Sequence, residues 1–162
     1  MTSTALTTFL WFDTEGEDAA RFYTGIFKDS RLGAISYYGE AGPRPAGLAF
    51  VVEFELKGQK FAALNGGPEH KISALSPAIS LSIPCAGQDE VDYYWDRLTE
   101  GGQEVACGWL TDKYGMSWQV IPDALGEMMR DSDPEKVQRV TAAMLKMTKL
   151  DVAGLQRAFD GG

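Results

Sequence analysis

"VDYYWDRL" (Val91–Leu98) is a second writing of "AARFYTGI" (Ala19–Ile26). Val91, Tyr94, Trp95 and Leu98 stand at i, i+3, i+4 and i+7, the spacing that puts four side chains on one face of a helix. Ala19, Phe22, Tyr23 and Ile26 do the same, and each residue of the second set lies 72 positions after its counterpart. Helices are therefore expected over 15–27, opened by a capping box between Thr14 and Glu17, and over 87–101, closed by Gly101 and Gly102.

The flanks repeat as well. "TTFLWF" (Thr7–Phe12) and "AISLSI" (Ala78–Ile83) are short strands that run straight into these helices. Three strand-like runs follow each helix: "LGAISYYG", "GLAFVVEFELKG" and "QKFAALN" in the first half, "EVACGW", "WLTDKYG" and "MSWQVIP" in the second. The last two form a hairpin, with Gly115 supplying the positive φ of its turn. The order is β-α-β-β-β twice, joined by "GGPEHKISALSP" (Gly66–Pro77). A repeat of this kind takes precedence over any local reading. The expectation is an α+β fold: two tandem modules, about 5–65 and 77–122, forming curved sheets around a cleft. Beyond Pro122 the pattern changes. Asp133 followed by Pro134 opens a helix, and another starts at Asp151. Residues 123–162 are read as a short helical extension of a single domain.

Composition narrows the function. A chain of 162 residues, 44% hydrophobic, can bury one real core. With 15 Lys+Arg against 23 Asp+Glu the net charge is -8, which argues against nucleic acid or an anionic membrane as partner. "MTSTALTTFLWF" lacks the basic residues of a signal peptide, and no apolar run approaches a membrane span. A cytoplasmic protein is expected. Cys85 and Cys107 read as small apolar side chains rather than as a disulfide.

The stretches "FAALNGGP" (61–68), "PAISLSIPC" (77–85), "EVDYYWDRL" (90–98), "CGWLTDKYGMSWQVIP" (107–122) and "AMLKMTKLD" (143–151) resemble the vicinal oxygen chelate superfamily of glyoxalase I, extradiol dioxygenases and bleomycin-resistance proteins. Within it they are most similar to the PhnB-like branch, often labelled 3-demethylubiquinone-9 3-methyltransferase. The resemblance implies a metal site built from the first and last strand of each module. Strand alternation turns Thr7, Phe9 and Trp11, and Ala78, Ser80 and Ser82, toward the cleft. Aligning Gly58 with Gly115 puts Phe61 and Trp118 under the helices and Ala62 and Gln119 in the cleft. The family's ligand positions then read Thr7, Ala62, Ala78 and Gln119, with no histidine or carboxylate among them. Divalent metals in such sites want imidazole nitrogen or carboxylate oxygen. The single histidine, His70, lies in the connector.

No G-x-G-x-x-G turn marks a nucleotide-type cofactor, and neither cysteine has a histidine base nearby in sequence. The reading that follows is a small-molecule binding protein with a metal-free cleft and no cofactor. Phe9, Trp11 and Leu64 would form its apolar wall, and Thr7, Ser80, Ser82, Ser117 and Gln119 its polar contacts. Trp11 is equally a packing residue, and Gln119 equally a cross-strand support. The other readings are an enzyme of the superfamily (a metal-recruiting lyase, isomerase or dioxygenase, or the labelled methyltransferase) and an interaction module whose cleft is filled by its own side chains. A homodimer is expected, with Met144 and Met147 contributing apolar surface.

Overall fold

The structure, a computed structural model, describes residues 6–72 and 78–162. The end of the connector, 73–77, and the start of the first module, 1–5, lie outside them. The chain divides into two compact units, Met1–Ile72 and Ser73–Gly162.

In the first unit β1 (Thr8–Phe12), α1 (Gly16–Ile26), β2 (Ser30–Tyr37), β3 (Ala49–Leu56) and β4 (Gln59–Asn65) follow in the expected order. They form one sheet of order β1-β4-β3-β2, with β1 parallel to β4 and the other neighbours antiparallel. Leu10, Phe12, Phe54 and Phe61 are buried on one face with Ala19, Tyr23 and Ile26 of α1. Tyr23, Phe54 and Phe61 stack in series, with centroids 6.1 and 5.2 Å apart. Each such side chain stabilises the fold by about 1.5–3 kcal/mol.

The helix starts differently from the sequence expectation. The Thr14–Glu17 capping box is absent: Glu15 is the N-cap and makes no side-chain cap, while Glu17 bonds Arg21 one turn on. The buried N–H of Gly16 instead donates to Asn65 Oδ1 at 2.7 Å. Asn65 is buried at the end of β4 and donates from Nδ2 to Ala49 O at 2.9 Å. A residue 49 positions away thus ties the helix start to two strands, which a local motif cannot offer.

The second unit repeats the topology with β5 (Ser80–Cys85), α2 (Gln88–Thr99), β6 (Gln103–Glu104), β7 (Trp109–Thr111) and β8 (Ser117–Pro122), in the order β5-β8-β7-β6. Val91, Tyr94, Trp95 and Leu98 of α2 are all buried, as the stripe requires. The strands β6 and β7 are shorter than 104–109 and 109–115. Cys107 and Gly108 take φ of 61° and 81°, and their N–H groups donate to Met147 O and Thr148 O at 2.8 Å, so the C-terminal segment takes the place of a strand partner. The β7–β8 turn has Gly115 at φ 91°, as expected. It is latched by Asp112, which accepts from Tyr114 N, Met116 N and Trp118 Nε1 at 2.8, 3.1 and 2.8 Å.

A helix unforeseen in the sequence, α3 (Asp123–Met128), follows β8 directly. Then come α4 (Pro134–Met144), capped by Asp133, and α5 (Val152–Asp160), capped by Asp151. Leu125, Met128, Val140, Leu150 and Leu155 make a second core, against which Met144 and Met147 pack. Those methionines are therefore half-buried in this unit and are not the open apolar surface expected of them. Gln88 fastens the extension to α2, donating to Leu150 O at 3.1 Å and accepting from Val152 N at 2.8 Å. Lys149 completes the joint with Asp92 at 3.0 Å. The Gln88 hydrogen bond and then Lys149 hold the Asp92 carboxyl below its ordinary range, and Asp92 in turn raises Lys149.

Candidate functional site

The helix-free face of the first sheet carries a groove of about 510 Å³. Register explains it. Phe9 of β1 lies beside Ala62 of β4, and Ala62 beside Glu53 of β3. Ala62 is the low point because a methyl group fills so little of the space between its neighbours. Thr7, Phe9, Val51, Glu53 and Ala62 line the groove, with Arg31, Glu55 and Lys60 at one end. Arg31 Nη2 pairs with Glu55 Oε2 at 2.7 Å.

Trp11 and Leu64 sit side by side further along this face, but neither lines the groove. Trp11 is held by the segment after β4. Its Nε1–H donates to Gly67 O at 2.8 Å, and its ring meets that of His70 edge-on at 5.2 Å. A Cβ on Gly66 would lie 2.2 Å from the indole, so only glycine lets the chain cross there. Sequence reasoning missed this use of "NGGP": Asn65 caps a helix, Gly66 makes room for Trp11, Gly67 accepts its proton and Pro68 opens a single 3-10 turn.

In the second unit Gln119 lies between Ser82 of β5 and Trp109 of β7. Its Nε2 donates to Ser80 Oγ at 2.9 Å, the cross-strand contact that was one of its two readings. Ser82 is exposed, whereas Ser117 is buried and presents no open hydroxyl. Trp118 is buried on the helix side, as its alternation with Gln119 requires. Ala78 precedes β5 and is exposed.

The four positions that the superfamily resemblance implies as metal ligands do not fit an ion. Thr7, Ala62, Ala78 and Gln119 offer no imidazole or carboxylate, and the Gln119 amide is engaged with Ser80. Among the described residues no group of three or more His, Cys, Asp or Glu is placed to hold one. The glycine pair Gly66–Gly67 is taken up by Trp11, which packs on Gly66 and donates to Gly67 O.

The paired β-α-β-β-β units are the architecture of the vicinal oxygen chelate superfamily. Within it the chain belongs to the 3-demethylubiquinone-9 3-methyltransferase family, whose sequence model matches residues 4–121. The PhnB protein from Bacillus cereus is 34% identical and aligns with TM-score 0.65 over 72% of this chain and 98% of its own. Protein PA1353 from Pseudomonas aeruginosa is 20% identical, with TM-score 0.60 over 74% of this chain and 98% of its own. No curated protein sequence matches the chain. Among the described residues no helix is long and apolar enough to cross a membrane.

Proposed function

We propose that this protein binds a small organic molecule in the groove of its first sheet and does so without a metal. The observation that carries the reading is the groove floored by the small Ala62 and walled by Phe9, a residue 60% exposed although apolar. Such concave, mostly apolar sites with a few placed polar groups are where small ligands bind. The residue types at the family's ligand positions favour binding through shape and hydrogen bonds over coordination. A homodimer is part of the proposal: Tyr37 and Phe50 leave exposed aromatic surface in the β2–β3 hairpin, and sedimentation at micromolar concentration should report two chains.

The neutral fluorophore N-phenyl-1-naphthylamine tests the groove. Its emission should rise on binding the whole chain, and Ala62→Gln, which fills the floor, or Phe9→Ala, which removes the wall, should weaken binding about ten-fold. The second sheet already accommodates glutamine at the corresponding place, so Ala62→Gln should melt normally. Unchanged binding in both folded variants overturns the reading.

A further inference from the structure

We infer that the groove takes an organic cation, an amine with a short apolar body, whose ammonium sits on Glu53 while its body lies over Ala62 against Phe9. The inference rests on the groove being a ligand site and adds the chemical class of the ligand.

Glu53 is the groove's unanswered charge. The other carboxylate there, Glu55, is paired with Arg31 at 2.7 Å and also stands directly across from Lys60 in the β3–β4 register. Glu53 stands across from Ala62, which can give it nothing. On its other side the β2 strand bulges between Leu32 and Ile35, and the residue set against Glu53 is Gly33. A Cβ on Gly33 would come within 3.1 Å of the Glu53 Cβ and carbonyl oxygen. The bulge therefore brings bare backbone, not a side chain, against this residue. The Glu53 carboxylate forms no ion pair or hydrogen bond with another described residue, and the residue remains exposed. Bulges of this sort often re-aim or uncover a side chain beside a site.

The dimensions match one kind of ligand. Phe9, Ala62 and Glu53 lie on three successive strands in one register line, so Phe9 and Glu53 are about 10 Å apart at the backbone. A single ring or short alkyl group spans the methyl of Ala62 and leaves an ammonium within reach of the carboxylate. That ammonium would gain a charge-assisted hydrogen bond, the stronger kind, and the exposed ring of Phe9 offers the ligand's body an apolar face. A carboxylate or phosphate ligand over Ala62 meets Glu53 as a like charge, while both cations of the groove, Arg31 and Lys60, stand at its Glu55 end. The chain's net charge of -8 acts in the same direction, raising the local concentration of cations.

Phenethylamine, phenethyl alcohol and 3-phenylpropionate, which share a ring and differ in charge, provide the test. Each is titrated into the ¹⁵N-labelled whole chain while amide shifts are followed. The expected result is that phenethylamine moves the amides of Phe9, Glu53 and Ala62 and binds about ten-fold more tightly than the carboxylate, the weight of one charge-assisted contact. Glu53→Gln, a change at an exposed position, should bring the amine level with the alcohol. If amine and alcohol bind the wild-type groove equally, the cation inference is overturned and the groove reading stands. If none of the three moves those amides, both fall.

Discussion

Across the first sheet the line of residues through Ala62 runs Phe9–Ala62–Glu53, and across the second the line through Gln119 runs Ser82–Gln119–Trp109. Strand order, strand direction and the turn before the last strand are the same in both: Gly58 and Gly115 take φ of 80° and 91°. Their fillings differ. A methyl group in the middle of the first line leaves a groove. In the second line a glutamine occupies the middle, donates to Ser80 and has an indole beside it. The hairpins differ as well, since β2 and β3 are long while β6 and β7 are short and the segment between them is supported by 147–148. One backbone plan therefore carries two fillings, a grooved face in one copy and a braced one in the other. Fold and site are separable here.

The largest effect expected of breaking this arrangement is on the braced copy. Trp118→Ala removes a buried indole and leaves the Asp112 carboxylate, itself buried, without its Nε1–H. The variant should lose about 3–5 kcal/mol in chemical denaturation. In the open copy, Gly66→Ala drives a methyl into the Trp11 ring and should cost about 1–3 kcal/mol, the usual range for overpacking. Replacing Trp11 by a smaller residue in the same chain should recover part of that loss. Gln119→Ala should cost about 1 kcal/mol for one lost hydrogen bond and lower the melting temperature without any ligand present, because its amide supports the sheet.

The joint between α2 and the extension should give the smallest effect. Asp92 is half exposed, so Asp92→Asn should cost under about 1 kcal/mol at neutral pH. Its carboxyl is lowered from 3.8 in the folded chain. Its contribution is therefore present above that value and is lost as the pH falls below it. Melting curves of the variant and the wild type should converge in that acid range.

The duplication and the facing of the first and last strand of each module were legible in the sequence because both are periodic. A stripe of period 3.6 and an alternation of period 2 need no knowledge of distant contacts. Thr7, Phe9 and Ala62 were assigned to the open face in this way, and the structure brings them together in the groove. What the sequence hid depends on long-range pairing. Asn65 replaces the Thr14–Glu17 box only because β4 ends beside α1. Trp11 looks like a pocket wall until residues 66–70 are seen to hold it. The isolation of Glu53 shows only when Ala62 and the Gly33 bulge are placed on either side. The short α3 carries too few residues to show a helical period.

Soaking crystals of the whole chain with a panel of small amines and alcohols tests most directly that the two copies have diverged into an open face and a braced one. The account predicts ligand density over Ala62, between Phe9 and Glu53, with the Gln119–Ser80 contact undisturbed in the same crystals. Ligands gathering over Gln119 and Trp109, with the face at Ala62 empty, would contradict it.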